Sequence, residues 1–174
     1  MKRLLLHVCC APCATAVLEQ LQYEYDVTMY FYNPNIMPFA EYNKRLEEVK
    51  KLSARFGIPL IEGDHDIFLW SELTDDHEKE PEGGSRCDIC FRMRLKETYY
   101  TMKNKGFDLF ATTLTISPHK NTQVINAIGQ GISNEHFLVK DFSNEYQKSI
   151  ELSKQHGLYR QNYCGCLFSM VKKS

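Results

Sequence analysis

The stretch "RLLLHVCCAPCATAVLEQL" runs from Arg3 to Leu21, and its reading decides the fold. "RLLLHV" (3–8) is a short continuous apolar run, suited to a strand buried on both faces. "PCATAVLEQL" (12–21) then reads as a helix with Pro12 in its first turn. Three cysteines, Cys9, Cys10 and Cys13, fall at the hand-over from strand to helix.

Downstream, the same alternation continues. Strands are expected at 26–35, 58–63, 107–118 and 135–142. Helices are expected at 39–57, 88–106, 121–132 and 145–157, with a helical turn or two at 65–73. "TDDHEKEPEGGS" (74–85) is polar and reads as a mobile loop, a linker or a cover. Strands alternating with helices predict an α/β, three-layer, Rossmann-like fold with a mostly parallel sheet and helices on both faces. The length of 174 residues suits a single domain over 1–174. There is no internal repeat.

The bulk properties exclude several classes. The net charge of −1 gives no global basic field for a polyanion, so nucleic acid would need a local patch. No apolar run reaches the roughly 18 residues of a membrane span. "MKRLLLHVCC" mimics a signal peptide, but the apolar stretch is too short for one. A cytoplasmic, reducing location is expected. A glycine-rich phosphate loop is missing, so neither ATP nor nicotinamide use is expected, and electrons would come from an external donor.

The seven cysteines form three groups, CCxxC (Cys9, Cys10, Cys13), CxxC (Cys87, Cys90) and CxC (Cys164, Cys166). An odd number argues against a disulfide framework. Cysteines serving only as core hydrophobes would scatter. Three chemistries fit the grouping. Structural zinc needs four thiolates, and Cys10, Cys13, Cys87 and Cys90 would suffice. An iron–sulfur cluster could take Cys9, Cys10, Cys87 and Cys90, leaving Cys164–Gly165–Cys166 as a redox pair or second-metal ligands. A thiol switch fits Cys87 and Cys90 at a helix N-terminus, but does not need seven cysteines.

"LLLHVCCAPCAT", "FYNPNI", "EYNKRLEE", "RCDICFRMRL", "GFDLFATTLTISPHKN" and "LYRQNYCGCLFS" together resemble the QueH-type epoxyqueuosine reductases over residues 3 to 169. The resemblance implies an adenine-nucleotide α-hydrolase-like Rossmann fold. It also implies the last step of queuosine synthesis. There the epoxide of epoxyqueuosine at the tRNA wobble position is reduced to an alkene without cobalamin. It implies a [4Fe–4S] cluster, with Cys9, Cys10, Cys87 and Cys90 at the cluster positions, and a second adjacent metal, an iron. Cys164 and Cys166 match its redox-active or iron-binding pair, and Cys13 matches the motif with its role open. An acid is needed for the departing oxygen, and Asp88, Tyr163 and His119 lie in or near the motifs; Asp88 is carried as the catalytic candidate.

Arg86, Arg92 and Arg94, with Lys96, Lys103 and Lys105, would contact anticodon phosphates, or form a solvated helix face. Tyr159, Arg160 and Gln161 would stack on or hydrogen-bond a splayed base, and Ser117 would line the pocket. Tyr32, Asn33 and Asn35 form a turn at a strand end. His7 and Trp70 are expected to be packing residues. The competing reading is a zinc-stabilised RNA-binding or adaptor module without redox catalysis.

Overall fold

The structure is a computed structural model and describes residues 1–170. Four parallel strands, β1 (Arg3–His7), β2 (Asp26–Phe31), β3 (Leu60–Glu62) and β4 (Leu109–Thr112), form one sheet in the order β3-β2-β1-β4. β1 is central, and Leu4, Leu5 and Leu6 are wholly buried. Each such leucine contributes ~1.5–3 kcal/mol of burial free energy. Alternation splits them between two cores. Leu4 and Leu6 pack with α1 (Ala11–Leu21), α2 (Phe39–Phe56) and α6 (Tyr146–Gln155). Leu5 packs on the other face with α3 (Ile67–Thr74), α4 (Ser85–Asn104) and α5 (Thr122–Ile132). The three layers are those expected from the alternating sequence. A short helix, α7 (Leu167–Met170), closes the described chain.

The expected fifth strand at 135–142 is corrected to a single bridge between Phe110 and Phe137. Phe137 turns inward on one face of the sheet, its ring 5.0 Å from that of Phe110, while Val139 stays exposed and Phe142 is buried in the core of the opposite face. Asp141 then accepts a hydrogen bond from the Ser143 amide and turns the chain away. The 74–85 segment is likewise held rather than loose. Arg86 is buried, and its Nη1 donates to the carbonyls of His77, Glu78 and Glu80. α4 begins at Ser85, which puts Cys87 in its first turn.

The crossovers from β1 and β4 leave in opposite directions. Their carboxyl ends therefore open a crevice, the usual ligand position in such sheets. His7 ties the floor of that crevice together. Its Nε2 donates to the Tyr32 carbonyl at 3.0 Å, and its Nδ1 lies 2.9 Å from Thr112 Oγ1. A carbonyl only accepts, so Nε2 carries the proton and the Thr112 hydroxyl donates to Nδ1. Burial and the Arg94 charge push the His7 pKa down to about 3, and the ring stays neutral. His7 is thus a packing residue, as expected.

Candidate functional site

Cys9 follows the last residues of β1, and Cys10 is the N-cap of α1 in extended conformation. One helical turn later Cys13 returns to the same end. The three sulfurs lie within 4.8 Å of one another and form a group that could hold a metal. Adjacent cysteines face one point because the backbone turns between strand and helix. Hydrogen bonds from the Cys10 and Cys13 thiols hold the Cys9 thiol well below its ordinary pKa. Burial pushes Cys10 up to about 12, and the hydrogen bonds with Cys10 and Cys9 hold Cys13 high.

Two adjoining cavities open beside the triad. The larger, about 400 Å³, is lined by Cys9, Cys13, Cys164, Ser117, Arg160 and Gln161, among others. The smaller, about 100 Å³, is lined by Cys87, Cys90, Cys166, Asp88, Asn35 and Trp70, among others. Cys164, Arg94, Lys120, His119 and Glu82 border both. Burial raises the Cys87 thiol and pushes Cys90 up to about 11, with Arg94 opposing the shift at Cys90.

The C-terminal pair reaches the crevice because α2 holds the tail. Arg45, 2% exposed, donates from Nη1 to the Cys164 carbonyl at 2.7 Å and from Nη2 to the Tyr163 carbonyl at 3.0 Å. Its Nε pairs with Glu41 at 2.9 Å. The Tyr163 hydroxyl donates to the Met37 carbonyl at 2.6 Å, and the Met37 amide donates to the Gly165 carbonyl. Gly165 has φ +144, and a Cβ there would lie 2.9 Å from Asn35 Nδ2. Only glycine fits that left-handed, crowded position between the two cysteines.

The electrostatics select an anionic occupant. Arg94 is 1% exposed, and no carboxylate pairs with it or with Lys120 among the described residues. Arg94 Nη2 donates to Asn33 Oδ1 at 2.8 Å, and its Nη1 points at Cys90 Sγ, 3.8 Å away. Burial works against the Lys120 ammonium, yet Cys164, Cys9 and Cys13 hold its pKa above the ordinary value. A buried cation without a counter-charge costs several kcal/mol by rough estimate. Donors on Asn35 (Nδ2), Trp70 (Nε1), Arg86 (Nε) and Arg94 (Nε) are buried around the smaller cavity without partners. Such orphan donors are costly unless something anionic accepts from them. Thiolates holding a metal cluster satisfy both requirements, so the donor set fits the cofactor implied by the sequence.

The sequence-derived candidates fall into place unevenly. Ser117, Arg160 and Gln161 line the larger cavity, and Gln161 Oε1 is a buried acceptor without a partner. Asp88 lies in the smaller cavity. Arg92 is exposed, whereas Arg94 is buried and Arg86 is spent on the 77–80 backbone. Tyr159 donates to the Glu41 carboxylate at 3.0 Å, with Lys44 Nζ 3.7 Å from its ring centre. Of the three acid candidates, His119 and Asp88 face cavities, while the Tyr163 hydroxyl is committed. Trp70 packs in the core, 6.4 Å from the Phe168 ring. Lys120, Asn33 and Arg45 gain roles that sequence reasoning did not assign. Lys120 sits inside "TISPHKN", but nothing local shows that it faces three distant thiols.

Residues 4–172 match the family model described as epoxyqueuosine reductase QueH. The chain belongs to the QueH family of epoxyqueuosine reductases. It is 41% identical over 177 residues to the epoxyqueuosine reductase QueH of Streptococcus pyogenes serotype M1, covering 95% of this chain and 69% of that protein. It is 38% identical over 181 residues to the QueH of Thermotoga maritima, covering 99% and 93%. Among solved structures, a predicted subunit of a tRNA methyltransferase from Methanocaldococcus jannaschii superposes with a TM-score of 0.58. That match covers 88% of this chain and 75% of the other at 9% identity, and supports the fold alone. QueH relatives thus share nearly the whole length of this chain, from the β1 leucines to the CxC tail.

Proposed function

We propose that this chain reduces the epoxide of epoxyqueuosine at the wobble position of tRNA, giving queuosine and releasing the oxygen as water. The observation that carries the reading is the convergence of the CCxxC, CxxC and CxC groups on one crevice. Arg94 and Lys120, neither paired with a carboxylate among the described residues, border both cavities of that crevice. Cys9, Cys10, Cys87 and Cys90 would hold a [4Fe–4S] cluster, with Cys13 beside them either replacing one of the four or serving the second metal. Cys164 and Cys166 then remain as a redox pair or as ligands of an adjacent iron. When bound, such a group supplies one-electron transfer and a Lewis-acidic iron.

The chain's own residues do the rest. The cavity of about 400 Å³ falls in the size range of small-ligand sites and accommodates one extruded modified base. Gln161 offers a buried acceptor to a hydroxyl or amino donor of that base. Arg160, exposed at the rim, meets backbone phosphate. Asp88 or His119 protonates the departing oxygen. Electrons come from an external donor, and a tRNA substrate places the reaction in the cytoplasm. Among the described residues no helix is long and apolar enough to cross a membrane.

A structural zinc clip fits less well. Zinc closes its ligand shell, and three converging sulfurs beside a large cavity leave an open face. The test is purification without oxygen, with iron, sulfide and zinc assayed on one sample. tRNA carrying epoxyqueuosine is then incubated with the protein and dithionite, and its nucleosides are weighed by mass spectrometry. About four or more irons per chain and loss of one oxygen from the nucleoside are expected. About one zinc per chain, no sulfide and unchanged nucleoside mass would overturn the reading.

A further inference from the structure

Lys120 stands where the two cavities meet, with Cys9 and Cys13 lining one side and Cys87, Cys90 and Cys166 the other. The turn that carries it is tightly built. Its amide donates to the Ser117 carbonyl at 3.2 Å, and the His119 amide donates to Ser117 Oγ at 3.2 Å. Asn121 caps α5 through the Val124 amide, and Thr122 Oγ1 donates back to the Thr115 carbonyl. The ammonium itself is engaged by no hydrogen bond or ion pair among the described residues. Three N–H donors therefore face the space that takes the substrate. Arg94, the other cation on this border, is already committed to Asn33 and Cys90.

We propose that Lys120 is a catalytic residue that binds the epoxide oxygen and stabilises its negative charge as the first C–O bond breaks. This rests on the reductase reading above. Converting the epoxide to an alkene breaks two C–O bonds, takes two electrons from the external reductant and two protons, and frees the oxygen as water. Charge accumulates on that oxygen before the second proton arrives. An ammonium carried on this tight turn at the edge of both cavities acts on it at the moment of bond cleavage. The permanent charge also suits the residue to stabilising an oxyanion rather than to giving up the proton, which is left to Asp88 or His119.

The experiment compares wild type, Lys120→Met, Lys120→Arg and Lys120→Ala in single-turnover and steady-state assays on epoxyqueuosine-containing tRNA. Iron, sulfide and reduction potential are measured on each sample. Loss of one preorganised oxyanion donor typically costs ~10²–10³ in kcat. Lys120→Met should show that loss with KM and iron content unchanged, and larger than the measured shift in potential accounts for. Lys120→Arg should recover part of it. Lys120→Ala should be partly rescued by methylammonium but not by tetramethylammonium, which has no N–H. Near-wild-type kcat in Lys120→Met would overturn the proposal. So would a loss wholly accounted for by missing iron or by the shifted potential, which would leave Lys120 a counter-charge for the thiolates and nothing more. A change confined to KM would assign it to tRNA binding instead. If wild type itself fails to turn over while holding iron, the reductase reading falls first and takes this one with it.

Discussion

Removing the Arg45 side chain tests the way this fold delivers its last two cysteines. Arg45→Met deletes two hydrogen bonds from a charged donor to the carbonyls of Tyr163 and Cys164. Each such bond is worth ~1.5–3 kcal/mol. It also strips Glu41, 12% exposed on its side chain, of its cation. That pair is i to i+4 within α2 and does not hold the tail, so the tail loses the two carbonyl bonds, together ~3–6 kcal/mol. The lost bonds hold only the tail, so the loss should appear as local undocking before global unfolding. Cys166, 8% exposed, is the reporter. In chelator-treated protein without denaturant, its alkylation should accelerate by a factor on the order of 10²–10⁴, since each factor of ten is ~1.4 kcal/mol. Arg45→Lys keeps the charge but reaches one carbonyl at a time, and should fall between. An alkylation rate and a urea midpoint both equal to wild type would refute the clamp.

Cys13→Ser should lower iron per chain to below about half of wild type after anaerobic reconstitution, because it removes one of three converging ligands; undiminished iron by elemental analysis counts against the triad. Gly129→Ala places a methyl inside the Phe137 ring. Overpacking of ~1–3 kcal/mol should outweigh the ~1 kcal/mol of helix propensity gained. Calorimetry should show Tm falling, and Phe137→Leu in the same chain should restore it. His65 stacks on Tyr42 at 3.8 Å between ring centres, and burial lowers its pKa below the ordinary 6.5. A folded pKa below the unfolded one means that its neutral form stabilises the fold above pH 6.5. That contribution is lost as pH falls through the lowered value. Urea titrations from pH 7 downward should show a shallower decline for His65→Gln than for wild type.

The parallel α/β layering was legible in the sequence because buried central strands need continuous apolar runs. "RLLLH" has no other comfortable place than between two helical layers. The Cys9, Cys10 and Cys13 group was legible as a metal-holding candidate because cysteines used only for packing scatter singly, and the family motifs run through all three cysteine groups. The strand expected at 135–142 was misread because its apolar content suggested pairing along its whole length. Only the tertiary contact of Phe137 with Phe110 is kept before the chain turns at Asp141.

Sequence alone determined the layers, the grouping of the thiols and the end of β1 where the first group lies, since each depends on neighbours within a few residues. The tertiary structure decided which thiols share a point and that Arg86 props a loop while Arg94 faces sulfur. It also decided that Lys120 and Gln161 line the same larger cavity. Those outcomes depend on contacts such as Arg45 with Cys164, 119 positions apart. No local propensity encodes them, because they form only when α2, the 33–38 loop and the tail are packed against one another.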